Sequence, residues 1–265
     1  MLKKELNLQT IKILVKKLSC GFYRYLINLF NFVCPHRCFS CRKIIGGEGF
    51  CVDCWKNLRF IEKPYCFVCG RPINISDEMG LVCGQCLKNK YYFDRNISVF
   101  VYNETIARVI FEFKFHEKTF LSKFFAKFLL KKLEELGEFC EKIDFITCVP
   151  LHTKRLRFRG YNQSLLLAND LAKITQIPCI YDMLLKVKNT KTQVQLSYKK
   201  RKTNLLSAFI LNKKYLELIK GKNILLIDDV FTTGSTVNEC SKVLKRVGRT
   251  NKVFVLTIAR VVKSC

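Results

Sequence analysis

Two adjacent carboxylates, Asp228 and Asp229, close the apolar run Ile224 to Ile227, and Thr232, Thr233, Gly234, Ser235 and Thr236 follow almost at once. Paired acids at one point can hold the hydroxyls of a sugar or a hydrated cation. Hydroxyls grouped around a glycine can donate to a phosphate, and the glycine lets the backbone turn sharply. A helical pattern opens after this loop, so the first N–H groups and the positive dipole end of that helix would point into the same space. The apolar run reads as a buried strand of a parallel sheet, and in open sheets of this kind ligands sit beyond the carboxyl ends of the strands. A plain strand-to-helix junction needs none of these coincidences. The chain has neither a Gly-x4-Gly-Lys-Ser/Thr loop nor a Gly-x-Gly-x-x-Gly loop, which excludes the nucleotide sites built on those sequences.

A second group of reactive character lies between Pro150 and Gln163, where Lys154, Arg155, Arg157 and Arg159 stand between an expected strand end and an expected helix start. Arginine forks match phosphate oxygens, and a helix N-terminus adds backbone donors. The bland alternative is a solvated basic loop. His36, His116 and His152 form no triad with a serine or cysteine partner, and only His152 falls near this group.

The third group is made of cysteines in four Cys-x2-Cys pairs: Cys38/Cys41, Cys51/Cys54, Cys66/Cys69 and Cys83/Cys86. Each pair can aim two thiolates at a tetrahedral Zn²⁺, and two pairs complete a shell. The expectation is two structural zinc sites, assembled sequentially like a double zinc ribbon; a cross-braced arrangement, first pair with third and second with fourth, stays open at this level. Closed thiolate shells are structural, and metal binding would supply the folding energy of so small a segment. Gly70 and Gly84 sit where knuckles turn. Cys34 is taken as a spectator, and Cys20, Cys140, Cys148, Cys179, Cys240 and Cys265 as small hydrophobes or free thiols.

These groups require elements to position them. Residues 10–33 show helical spacing of apolar side chains with a basic opposite face. Strands are expected over Ile97–Tyr102, Ile143–Val149, 224–230 and Val253–Ala259. Helices are expected over Thr105–Phe115, Thr119–Leu136, Asn162–Ile174 and 237–247, and the polar basic stretch 186–206 reads as a mobile loop. Alternating strands and helices indicate an α/β fold, a mostly parallel sheet with helices on its faces. The organisation follows as an amphipathic helix over 1–33, a cysteine-rich part over 34–90, and the α/β domain over 91–265.

Composition sets outer bounds. The chain has 265 residues, a net charge of +26 and 49% hydrophobic residues, ample for a core. Most of the charge reads as spread over the surface, which remains compatible with a basic cleft for a polyanion. Lysines at 3, 4, 12, 16 and 17 interrupt any leader-like apolar run, and no apolar run reaches the length of a membrane span. With so many cysteines and no secretory pattern, a cytoplasmic location with reduced or metal-bound thiols is expected.

The loop from Asp228 to Thr236 resembles the ribose-phosphate motif of type I phosphoribosyltransferases, whose substrate is phosphoribosyl pyrophosphate (PRPP). Val149-Pro150-Leu151, Arg155, Arg159-Gly160-Tyr161-Asn162-Gln163, the series Thr190, Gln193 and Leu196, then Arg201, Asn204 and Ala208-Phe209 extend the likeness to the ComF family. The cysteine-rich front fits as well, so the resemblance covers about residues 25–260. It implies that Asp228 and Asp229 contact the ribose hydroxyls directly or through Mg²⁺, and that Thr232 to Thr236 hold the 5′-phosphate. Arg159 and Gly160, with Arg155, would face the pyrophosphate, and Gln193, Arg201 and Asn204 would lie on a loop that closes over the substrate. It also implies a role in DNA uptake during natural transformation, with single-stranded DNA or a helicase as partners. An enzyme with an unidentified acceptor, a non-catalytic adaptor and a PRPP-sensing regulator all remain open on these residues.

Overall fold

A computed structural model describes residues 35–73, 81–135, 137, 143–188 and 208–262. The expected helix at 10–33, Cys34, and the loop residues Gln193, Arg201 and Asn204 lie outside the described residues.

The chain divides into two compact units, residues 1–57 and residues 58–265. In the first, Cys38, Cys41, Cys51 and Cys54 come together with all four sulfur atoms within 4.8 Å of one another. Helix α1 (Val52–Lys56) starts directly after Cys51, and Phe39, Phe50 and Trp55 pack ring against ring beside the cluster. In the second unit Cys66, Cys69, Cys83 and Cys86 form the same kind of group, with α2 (Gly84–Lys88) starting after Cys83. The pairing is therefore sequential, first pair with second and third with fourth. Gly70 is required at its turn: its φ is +68°, and a Cβ there would lie 2.7 Å from the Asn96 carbonyl oxygen. No such demand falls on Gly84, which faces open space.

The larger unit is built on four parallel strands among the described residues: β1 (Arg95–Val101), β2 (Phe145–Cys148), β5 (Ile224–Phe231) and β6 (Val253–Arg260), in the spatial order β1-β6-β5-β2. Every residue of β6 is buried, as a strand covered on both faces demands. Helices α3 (Glu104–Phe115) and α4 (Leu121–Glu134) follow β1. In α3, Ile106, Val109, Ile110 and Phe113 are buried at helical spacing, and Asn103 caps its start by accepting from the Ile106 N–H. Helix α6 (Gln163–Thr175) packs with α4 and against β2 and β5, while α8 (Ser235–Arg246) packs against β5, β6 and the strand β4 (Phe209–Leu211). The short antiparallel pair β3 (Leu184–Lys186) and β4 (Phe209–Leu211) joins this side, followed by a short helix α7 (Leu216–Ile219). Within the described residues the expected strands and helices are present with ends shifted by a few residues.

One element differs in kind. The basic group after β2, for which no element was expected, is helical: α5 spans Thr153–Arg159. Its N-cap is His152, whose Nδ1 accepts from the Lys154 N–H, and its C-cap is Gly160 at φ +77°. It was missed because none of its residues is buried, so no apolar period marks it.

Cys66 and Cys69 belong to the hydrophobic core of the larger unit, together with Phe93, Phe209, Phe231 and side chains of β5, β6 and α8. The second cysteine cluster is thus built into the packing that carries the sheet. Elemental analysis of the purified protein is expected to give about two zinc ions per chain, one per four-thiolate shell; a folded, reduced sample with none would contradict both sites.

Candidate active site at the strand ends

Chain geometry converges on the carboxyl end of the sheet. The buried run Ile224–Ile227 fixes β5 between β6 and β2, so Asp228 and Asp229 emerge at its end beside Thr257 of β6. The strand stops at Phe231, a core residue, and the chain turns into α8 through Gly234. That turn depends on glycine: φ is +76°, and a Cβ would sit 2.5 Å from Phe231 Cζ. Gly234→Ala is therefore expected to lower stability by about 1–3 kcal/mol and to distort the loop; a melting temperature equal to wild type would show that the loop tolerates the change.

Asp228 and Asp229 line a cavity of about 230 Å³. Thr232, Gly234, Ser235 and Thr236 line it from the loop. Gly234 at the α8 N-cap provides no side-chain cap; the Thr233 hydroxyl accepts from the Ser235 N–H at 3.4 Å, and a helix start of this kind favours an anion. Thr233 points differently: its hydroxyl lies 2.8 Å from the Ser235 hydroxyl, and it lines a smaller neighbouring crevice.

Helix α5 supplies two further lining residues. Arg155 and Arg159 are four residues apart and share one face, and both line the cavity, whereas Gly160 serves as the cap behind them. Arg159 donates to Gln163 Oε1 at 3.1 Å and its guanidinium stacks 4.8 Å from the Phe115 ring centre. Asn162 caps α6 by accepting from the Ser164 N–H and donates to the Val149 carbonyl at 3.1 Å, which ties the helix start to the end of β2. Ser164 in turn donates to Asp228 at 3.0 Å.

Two cations of the cavity were not anticipated. Lys114, near the end of α3, makes an ion pair with Asp229 at 2.7 Å. It is placed there because the Tyr161 hydroxyl donates to the Phe113 carbonyl at 2.6 Å and Gln163 donates to that of Lys114 at 3.3 Å. Lys186, at the end of β3, also lines the cavity. Its position in a short edge pair carried no signal in the sequence, and Lys114 read as one of many surface lysines.

The electrostatics follow from crowding. Burial, then the Asp229 charge beside it, raises the Asp228 carboxyl to about 7. Burial, then repulsion by Arg155, lowers the Lys186 ammonium to about 8. Burial and Arg159 also hold the Arg155 guanidinium below its ordinary value. A site with a carboxylate reluctant to ionise and cations packed against one another is stabilised by a ligand that brings both a cation for the acids and phosphates for the arginines. The oxygen donors of Asp228 and Asp229 suit a hard divalent cation such as Mg²⁺.

The cysteine clusters fit Zn²⁺ on geometry. Tetrahedral coordination at a Zn–S distance of about 2.3 Å places sulfurs roughly 3.8 Å apart, and Cys41–Cys51 and Cys69–Cys83 are separated by 3.6 and 3.7 Å. Cys66 is held well below the ordinary thiol range by hydrogen bonds from Cys69 and Cys86, with the Cys83 backbone N–H also donating to its sulfur. That is the environment of a ligating thiolate.

Comparison with known proteins agrees with this architecture. Residues 29–87 match the double zinc ribbon domain and residues 162–261 the phosphoribosyl transferase domain. Competence protein F of Haemophilus influenzae is 34% identical over 84% of this chain and 95% of that protein. DNA utilization protein YhgH of Escherichia coli is 32% identical over 81% of this chain and 92% of its own length, and competence protein ComFC of Bacillus subtilis is 28% identical over 80% and 85%. Among solved structures, the Bacillus subtilis glutamine PRPP amidotransferase overlays with a TM-score of 0.37 at 20% identity, over 55% of this chain and 30% of that one, a likeness too slight to support an inference. The double zinc ribbon, the phosphoribosyltransferase-type domain and near full-length identity to competence protein F together make this chain a member of the ComF family.

Proposed function

We propose that the cavity at the strand ends binds PRPP with Mg²⁺, and that the protein acts as a phosphoribosyltransferase-like component of DNA uptake. The observation that carries this reading is one cavity walled by paired carboxylates, by the start of α8, and by Arg155 and Arg159 of α5. In this reading Asp228 and Asp229 hold the ribose hydroxyls, Thr232 to Thr236 the 5′-phosphate, and Arg155 and Arg159 the pyrophosphate. Mg²⁺ supplies charge neutralisation for the leaving pyrophosphate. As the bond to pyrophosphate lengthens, positive charge grows on the ribose, and the carboxylates beside it stabilise that charge. No protein nucleophile is needed. Gln193, Arg201 and Asn204 are proposed to close over the ligand.

Arg159→Ala removes a charged donor, an interaction of about 1.5–3 kcal/mol. PRPP affinity measured by calorimetry is expected to fall correspondingly, roughly 10- to 100-fold, while pyrophosphate release with candidate acceptors falls in parallel. Unchanged affinity would remove α5 from the site. Turnover with no acceptor tested, alongside tight binding, would favour the regulator reading.

The names of the relatives, a competence protein and a DNA utilization protein, support a second, compatible role at DNA, as does the net charge of +26. If lysines and arginines contact phosphates, affinity for a single-stranded oligonucleotide falls steeply with salt. Undetectable binding at low salt would leave protein partners, such as a helicase, as the route to DNA.

A further inference from the structure

Beside the phosphate loop lies a second crevice of about 60 Å³ that shares Phe231 and Thr232 with the main cavity. Its other walls include Arg71, Gln85, Asn89, Tyr91, Thr233 and Arg260. We propose that this crevice is a separate binding site for an oxyanion, a carboxylate or phosphate group of a second small ligand.

Three features carry the inference. The first is Arg260, the last residue of β6, which is only 4% exposed. Its guanidinium donates through Nη1 to the Cys69 carbonyl and lies 4.7 Å from the Phe231 ring centre. Its Nε is buried with no hydrogen-bond partner among the described residues. A buried guanidinium is costly without a counter-charge, and its fork matches a carboxylate or phosphate. The second feature is composition: two arginines, two amides and hydroxyls line the crevice, and no acidic side chain does. The third is size. A water needs about 10–15 Å³ of such space, so the crevice holds a group of a few heavy atoms: an oxyanion fits and a whole ring does not. A ligand anchored here would lie against Thr233 on the flank of the phosphate loop, and so beside whatever occupies the main cavity.

The competing explanation is that Arg260 only offsets the thiolates of the second cysteine cluster, since its guanidinium donates to the Cys69 carbonyl beside them. That role leaves Nε unoccupied and gives Gln85 no part. The two are separated by following the Arg260 Nε–H resonance of the full-length, zinc-loaded protein, assigned by its loss in Arg260→Lys, during titration with acetate and with inorganic phosphate. The expected result is a saturable shift with at least one anion, and the stronger of the two identifies the class of ligand. The shift should survive Arg159→Ala, which removes one of the main cavity's cations. It should require roughly fivefold more anion in Gln85→Glu, where an exposed carboxylate is placed at the rim, with zinc content unchanged. If Arg260→Lys does not fold, calorimetry of Gln85→Glu against Gln85 in the Arg159→Ala background reads the same difference. No shift with either anion, indifference to Gln85→Glu, or loss on Arg159→Ala would overturn the proposal. None of these results depends on whether the main cavity binds PRPP.

Discussion

Asp228→Asn combined with Asp229→Asn is expected to weaken PRPP binding in Mg²⁺ by at least tenfold and to make the remaining binding insensitive to Mg²⁺. The substitutions keep shape and remove both charges, so a cation loses its oxygen ligands while Arg155, Arg159 and the loop still meet the phosphates. The fold should survive, because the two acids stand beyond the buried run of β5. Stability should even rise at neutral pH for Asp228→Asn alone. The folded-state value of Asp228 is raised to about 7 from 3.8, so its contribution is fully present below the unfolded value and is lost as pH climbs through the folded one. Removing the carboxyl abolishes that loss. Without ligand, the variant should match wild type near pH 4 and melt a few degrees higher above pH 7, about 1–2 kcal/mol in a unit of this size. A variant that melts lower at every pH would mean that the Ser164 hydrogen bond, not the charge, dominates.

The second large effect concerns the two cysteine clusters, which should not be equivalent. Cys69 is 2% exposed and lies in the core with Phe93 and Phe231, and its carbonyl accepts from both Asn96 and Arg260. Cys69→Ser therefore removes a zinc ligand from the interior of the larger unit. Structural zinc contributes on the order of 10 kcal/mol to the folding of small domains, and even a fraction of that rivals the whole stability of a domain. The expected outcome is a protein with one zinc and a sheet that melts far below wild type or does not fold. Cys41 is exposed and belongs to the unit of residues 1–57. Cys41→Ser should also leave one zinc, but the sheet should melt within a few degrees of wild type. Equal losses in the two variants would contradict the packing described for the second cluster.

Much of the site could be read from residue order because its chemistry is local. Asp228 to Thr236 occupy consecutive positions on a strand, a turn and a helix start, and the cysteine pairs carry their own spacing, so neither needed long-range knowledge. Lys114 and Lys186 were hidden for the opposite reason. Lys114 meets Asp229 only because Tyr161 and Gln163 hold the end of α3 against the start of α6, and nothing in its neighbours distinguishes it from other lysines. Helix α5 was hidden because a short helix with no buried side chain has no apolar period. The depth of the second cluster was hidden too: Cys-x2-Cys spacing announces a metal site but not the company of Phe93, Phe209 and Phe231 around it. Gly234 was legible as a turn, yet the reason no other residue fits, the Phe231 ring beneath it, is a tertiary fact.

The cavity between β5, α5 and α8 is proposed to hold Mg²⁺ and PRPP. The most direct measurement is calorimetric titration of the full-length, zinc-loaded protein with PRPP, with and without Mg²⁺. Saturable binding at one PRPP per chain is expected, markedly stronger when Mg²⁺ is present. Absence of binding with Mg²⁺ present, in a sample whose zinc content and melting curve show it to be folded, would contradict it.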